Sequence, residues 1–241
     1  MSPAGRTAFP APPPDTTGWP WTTDAIEPLP AQMYNGQPWP RVTIVTPSYN
    51  QAPFLEATLR SVLLQGYPNL EYIVVDGAST DGSREILERY RPWLAWWVSE
   101  PDDGQAHAVN KGFARATGEI LAWLNSDDLH EPETLATVAR YFAGNPECEI
   151  LYGRGSYIDV EGIKTADVDW IRPFNRRLLL TNNFILQPAA FWRRGLWEKV
   201  GELDPERHWT MDWEWLIRAT AFVRPHYLPS RLACWRFRPG I

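Results

Sequence analysis

The sequence predicts an α/β fold: a mostly parallel sheet flanked by helices on both faces, followed by a smaller mixed or antiparallel part. Three observations predict it. Short β-branched or apolar runs alternate with segments of helical periodicity over residues 42–124. The connections between them are short, as in sheets whose strands are linked by crossover helices. Beyond about residue 149, strand-like runs instead follow one another across a turn signal, which is the mark of antiparallel pairing.

Val42-Thr43-Ile44-Val45-Thr46 reads as the first strand, broken by Pro47-Ser48-Tyr49-Asn50. Phe54, Leu55, Leu59, Val62 and Leu63 recur at helical spacing and predict a helix over 53–65, ended by Gly66-Tyr67-Pro68-Asn69. Tyr72 to Asp76 is a second buried strand, Ser83 to Tyr90 a helix, and Trp96 to Ser99 a third strand. A helix from Gln105 to Ala116 closes at Thr117-Gly118, and Ile120 to Leu124 is the fourth strand. In such sheets ligands bind at the carboxyl ends of the strands. The first, second and fourth strands run into Ser48-Tyr49-Asn50, Asp76 to Asp81, and Asn125 to Asp128, so these three polar clusters are expected to meet at one edge.

The second half is less regular. Glu149 to Tyr157 reads as a strand, with Ile158 to Gly162 turning into an antiparallel partner. Arg193 to Val200 and Met211 to Ala221 read as helices, and Val223 to Leu228 and Leu232 to Phe237 as two closing strands. Gly153-Arg154-Gly155 is assigned to a turn. Residues 1–40 are rich in proline and lack periodicity. They are expected to form an irregular leader, packed onto the domain by Trp19, Trp21 and Trp39, ahead of one domain over 41–241 with halves 41–130 and 131–241.

Composition excludes several classes. A net charge of −6 gives no basic footprint, so nucleic acid is not an expected partner. Cys148 and Cys234 form no CxxC and suggest no disulfide framework, which fits a reducing compartment. His107, His130, His208 and His226 have no zinc-binding spacing. No secretory signal and no apolar run of bilayer-spanning length, about 20 residues, is visible. A cytoplasmic protein is expected, at most peripheral to the inner face of the membrane.

Asp127 and Asp128 follow the fourth strand directly. Adjacent carboxylates repel unless a cation or solvent relieves them. Oxygen ligands without His or Cys nearby suit Mn2+ or Mg2+ shared with substrate phosphates. Capping of the helix that begins near Pro132 is the alternative use of the same acids.

An ordered set of motifs decides between the two. Val42-Thr43-Ile44-Val45-Thr46-Pro47-Ser48-Tyr49-Asn50-Gln51, Asp76-Gly77-Ala78-Ser79-Thr80-Asp81-Gly82-Ser83 and Ser99-Glu100-Pro101-Asp102-Asp103-Gly104-Gln105 come first. Asn110-Lys111-Gly112-Phe113, Trp123-Leu124-Asn125-Ser126-Asp127-Asp128, Gln187-Pro188-Ala189-Ala190-Phe191-Trp192 and Met211-Asp212-Trp213-Glu214-Trp215 follow. Over roughly residues 41–238 the chain resembles glycosyltransferase family 2, the inverting group with the GT-A fold, a Rossmann-like sheet. The resemblance implies transfer of a sugar from a nucleotide-diphosphate sugar, with UDP as the favoured nucleotide, to a hydroxyl on a glycan or lipid-linked glycan. Bacterial polysaccharide biosynthesis is the common setting of such proteins.

By the same resemblance, Pro47 and Tyr49 lie along the nucleotide, Asp76 reads the base and Gln105 lies near the donor. Asn125-Ser126-Asp127-Asp128 stands in place of the DxD motif, with Asn125 and Asp127 at the donor and Asp127 and Asp128 at the metal. Asp212 falls at the catalytic base, with Glu214 the second candidate. The chemistry asks for these pieces: a cation to neutralise the leaving diphosphate, and a base to take the acceptor's proton. Many relatives carry Asp-Asp-Gly-Ser where this chain has Asp76-Gly77-Ala78-Ser79, and a His after the last strand where this chain has Arg238.

Other classes fit less well. A nucleotidyltransferase or dinucleotide-dependent enzyme shares the sheet pattern, but no GxGxxG follows the first strand and no GxxxxGK[ST] occurs. A non-catalytic nucleotide-sugar-binding subunit would keep the donor residues without transferring anything. The chain has 14 Trp, and residues Trp170 to Asn183 with Trp192, Trp197, Trp209, Trp213 and Trp215 are expected to include a platform on which an acceptor sugar stacks.

Overall fold

A computed structural model describes residues 9–22 and 28–237. Arg238, and the leader outside 9–22 and 28–40, lie beyond the described residues.

The first half alternates as its periodicity requires: β1 (Val42–Ser48), α1 (Ala52–Leu63), β2 (Leu70–Asp76), α2 (Ser83–Tyr90), β3 (Trp96–Ser99), α3 (Gln105–Phe113) and β4 (Ile120–Trp123). A two-residue strand, β5 (Leu129–His130), and α4 (Thr134–Gly144) lead into β6 (Ile150–Ile158) and β7 (Lys164–Asp167). The chain ends with α5 (Arg176–Leu179), β8 (Ala190–Arg193), α6 (Arg194–Val200), α7 (Met211–Ala219) and β9 (His226–Arg236).

Among the described residues all nine strands share one sheet, ordered β3-β2-β1-β4-β8-β6-β9-β5 with β7 beside β6. The donor-side strands pair in parallel, β3 with β2, β2 with β1 and β1 with β4. Burial on both faces explains their apolar run: every residue of β1 and β4 is buried. From β4 onward pairing turns antiparallel through β8 and β6, except that β6 and β9 run parallel. The mixed second half is therefore an extension of the same sheet.

Glu71 on β2 locks the donor half together. Its buried carboxylate accepts hydrogen bonds from Thr43 Oγ1 (2.6 Å), Thr117 N (2.6 Å), Thr117 Oγ1 (2.8 Å) and Arg41 (2.9 Å). Burial would raise its pKa, but these four donors outweigh it and hold the carboxylate below its usual range.

Two expectations are corrected here. The closing strands are one strand, because β9 absorbs Pro229 and Ser230 at register shifts opposite Arg154, where a bulge tolerates proline. Gly153 and Gly155 serve no turn: they sit in β6, where a side chain at Gly153 would come 2.8 Å from Ser230 O and one at Gly155 2.9 Å from Ala233 O. Their missing side chains let β9 approach.

The leader segments pack on α1 chiefly through one cation. Arg60 is 3% exposed and donates to the carbonyls of Pro10 (2.9 Å), Pro20 (3.2 Å) and Trp21 (2.9 Å) and to Tyr90 Oη (3.1 Å). Trp19 Nε1 donates to His130 O, and the buried Trp39 to Pro30 O. Among the described residues no helix is long and apolar enough to cross a membrane.

Candidate active site

The carboxyl ends of β1 and β4 and the turn after β2 open onto one cavity of about 980 Å3. That volume suits a nucleotide-sized ligand. Pro47, Tyr49, Gln105, Asn125 and Asp127 all line it. The turns at its mouth are cross-tied: Asn50 N donates to Ser79 Oγ, Thr80 N to Asn50 Oδ1, and Ala52 N to Asp81. Asn50 takes a positive φ of 50°, a region that Asn visits more readily than most residues, and so aims its side chain at the second turn.

Asp76 stands apart from the cavity wall. It is fully buried, and its oxygens accept from Ser79 N (3.0 Å), Ser79 Oγ (2.5 Å) and Ser99 Oγ (2.6 Å). Its carboxylate joins the turn after β2 to the end of β3. Asp102, part of the Ser99-Glu100-Pro101-Asp102 motif, does face the cavity from the neighbouring turn. A Cβ on Gly77 would lie 2.9 Å from Asp102 Oδ2. The glycine where relatives carry a second Asp thus makes room for a carboxylate from the neighbouring turn.

The turn after β4 separates its two acids. Asp127 lines this cavity, whereas Asp128 borders a smaller adjoining one and is 1% exposed, with Oδ1 accepting from Arg236 N (2.9 Å) and Oδ2 3.4 Å from Asn125 Nδ2. Burial, and then the charge of Asp127, push the Asp128 pKa well above the carboxylate range, against the pull of Arg236 and Asn125. Arg236 also donates to the carbonyls of Asp127, Asp159 and Val160, holding this turn against the β6–β7 turn. Asn125 Oδ1 accepts from Gln105 Nε2 at 2.6 Å, which joins α3 to the same turn.

No group of three or more His, Cys, Asp or Glu side chains suited to a metal occurs among the described residues. A cation here would take Asp127 and draw its remaining ligands from phosphate and water. That donor set, all hard oxygen, fits Mg2+ or Mn2+ held jointly with a diphosphate.

A second cavity of about 350 Å3 shares Gln105, Asn125, Trp209 and Trp235 with the first. Asp212, at the second position of α7, lines it, and so do Asn183, Gln187, His208 and Trp170. Burial raises the Asp212 pKa, opposed by hydrogen bonds from Trp213 N–H, from Asn183 Nδ2 and from its own N–H. The Asn183 bond to Oδ2 measures 3.1 Å. Glu214 is not on this wall, being paired with Arg218 at 2.6 and 3.0 Å.

The proposed aromatic platform largely dissolves into core. Trp192, Trp197 and Trp215 are buried and pack on one another, with Trp192–Trp215 centroids 4.8 Å apart. Trp213 donates to Leu179 O and ties α7 to α5. Trp170 and Trp209 do line the second cavity, and Trp209 is 88% exposed. Trp235, on β9 and outside the expected platform, joins them with its ring 6.3 Å from Trp170.

The profile of Glycosyl transferase family 2 matches residues 43–200. A PGL/p-HBAD biosynthesis glycosyltransferase of Mycobacterium bovis is 32% identical over 183 residues, covering 74% of this chain and 69% of that protein. Staphylococcus aureus TarS (residues 1–349) in complex with UDP-GlcNAc superposes with a TM-score of 0.69 at 21% identity, over 83% of this chain and 60% of that one. The mannosyltransferase PcManGT of Pyrobaculum calidifontis, in complex with GDP-Man and Mn2+, gives 0.64 at 24%, over 90% and 61%. The chain thus spans about three-fifths of the length of these two structures, and at such identities the likeness is one of fold.

Proposed function

The chain belongs to glycosyl transferase family 2 and is a glycosyltransferase of GT-A fold; from that premise we propose an inverting, metal-assisted transfer from a UDP-sugar to a hydroxyl of a glycan or lipid-linked glycan. The observation that carries the proposal is the pair of adjoining cavities, with Asp127 on one and Asp212 on the other, sharing the wall of Gln105, Asn125, Trp209 and Trp235.

The larger cavity takes the nucleotide and diphosphate, with Pro47 and Tyr49 along the base and ribose. Asp76 acts at the base indirectly, by fixing the turn on which Gly77 and Asp102 meet. A bound Mn2+ or Mg2+ would neutralise the charge that grows on the leaving diphosphate. Asp127 would hold it, with Asp128 the second acid of the pair, its turn fixed through Arg236 N and Asn125. Gln105 and Asn125 orient the donor where the cavities meet. On the far side, Asp212 takes the proton from the acceptor hydroxyl as it attacks the anomeric carbon. With one base and no enzyme nucleophile, attack comes from the face opposite the diphosphate and inverts the centre. Burial makes Asp212 a stronger base than an exposed Asp. Known complexes support the donor class: the TarS structure holds UDP-GlcNAc and the Pyrobaculum structure holds GDP-Man with Mn2+.

Calorimetric titration of UDP, GDP and dTDP, with Mn2+ and then with EDTA, tests the donor side. Binding of one nucleotide that needs Mn2+ and is lost in Asp127→Ala is expected. Metal-independent binding would remove the metal from the proposal. Nucleotide binding with neither transfer nor hydrolysis of any UDP-sugar would favour the non-catalytic subunit.

A further inference from the structure

Although the chain is acidic as a whole, the acceptor half gathers several exposed arginines. Arg172, Arg176, Arg177 and Arg224 are all exposed, and none forms an ion pair among the described residues. In a chain of net charge −6, four such cations close together need a reason. The fold brings them together from separate segments. Arg176 Nε donates to Thr220 O (3.0 Å), which sets α5 against the turn after α7. Arg172 O accepts from Tyr152 Oη (2.7 Å), and the Arg224 charge also acts on Tyr152.

Two apolar side chains stand among these cations. Leu180 is 48% exposed and Phe222 is 53% exposed, each on a turn that follows a helix. Lys199 Nζ lies 4.4 Å from the Phe222 ring centroid and adds a fifth cation. Exposed apolar tips ringed by Arg and Lys are how a protein engages the interface of an anionic bilayer: the cations meet phosphate headgroups and the tips enter the acyl boundary.

We propose that this face docks the protein on an anionic lipid bilayer. Charge complementarity names the occupant, and continuity with the site gives the docking a use. Leu180 is three residues from Asn183, whose amide holds Asp212, and Leu179 O is held by Trp213 on the helix that carries Asp212. An acceptor hydroxyl carried on a lipid headgroup would approach Asp212 from the docked side. That consequence rests on the proposed function; the docking does not.

Co-sedimentation of the full chain with vesicles tests it, without nucleotide or metal. Vesicles of phosphatidylcholine alone are compared with vesicles that also contain phosphatidylglycerol. Binding is expected only to the second kind, weakening as salt is raised. At about one unit of membrane attraction per cation, R176A/R177A should weaken partitioning roughly thirtyfold. L180A/F222A should weaken it roughly tenfold or more through lost apolar burial. All four positions are exposed, so circular dichroism should match the parent protein, and loss of the single Arg176–Thr220 bond should lower the melting temperature only slightly. Equal binding to both vesicles, no binding to either, or R176A/R177A partitioning like the parent would overturn the proposal. So would retention on soluble dextran sulfate without vesicle binding, which would mean a polyanion site instead. Failure of the donor reading would show in the calorimetry and leave the sedimentation unchanged.

Discussion

The donor and acceptor sides of this protein were built by different means, although one sheet runs through both. On the donor side, each polar cluster directly follows its strand, so a parallel sheet necessarily delivers Ser48-Tyr49, Gly77 and Asn125-Asp127 to one edge. On the acceptor side the wall is gathered from afar: Trp170, Asn183, Gln187, Asp212 and Trp235 come from four segments joined only by tertiary packing. Function on the first side follows from chain order. On the second it follows from which side chains the core leaves uncovered.

The largest expected effect separates the two sides by chemistry. Asp212→Asn keeps the shape and the Asn183 contact but removes the base, so kcat should fall by roughly 10^2 to 10^4. Nucleotide affinity by calorimetry should stay within about twofold, since Asp212 lines only the smaller cavity. A matched loss of nucleotide binding would break the comparison, because the two walls would then act as one site.

This contrast also explains what was legible in the sequence. The first four strands and three helices fell within a few residues of their positions, because each is long enough to show its period and is closed by Gly, Pro or a polar run. The continuity of β9 was not legible, since Pro229 and Ser230 mimic a turn and only pairing with β6 carries the strand through them. Asp127 and Asp128 look equivalent as a dipeptide, yet Asp127 lines the larger cavity, whereas Asp128 borders the smaller one, almost fully buried, and accepts a backbone N–H from β9, 108 residues away. Asp102 was in plain view, and the signal that could have raised it was Gly77, a gap where relatives have an acid. No local signal separates Trp209 from Trp215, because both lie in one polar-aromatic run and burial is decided by Phe113, Trp192 and Trp197.

That pair of tryptophans gives the next test. Trp215→Ala would empty the middle of the aromatic core and should cost about 3–5 kcal/mol by denaturant unfolding. Trp209→Ala, at an 88% exposed position, should change stability by no more than about 0.5 kcal/mol. If Trp209 stacks on the acceptor, its loss should raise the acceptor KM by about tenfold and leave nucleotide binding intact, a size typical of one aromatic contact. An unchanged KM in Trp209→Ala and in Trp170→Ala would remove the platform from the acceptor side altogether.

The smallest effect sharpens the role of the side-chain hydrogen bond that Asn183 gives the proposed base. A general base works only when ionised, so activity should fall as pH drops through the Asp212 pKa, and burial places that acid limb above the ordinary carboxylate range. The Asn183 amide favours the ionised form. Asn183→Ala removes that support, so the pKa should rise further and the acid limb of the kcat profile move to higher pH, while rates well above the limb recover most of the parent value. Asn183 also accepts from Ile185 N, and a merely structural loss would lower the rate at every pH without displacing the limb. A profile lowered in parallel would therefore make Asn183 a loop anchor, and a displaced limb would make it the residue that tunes the base.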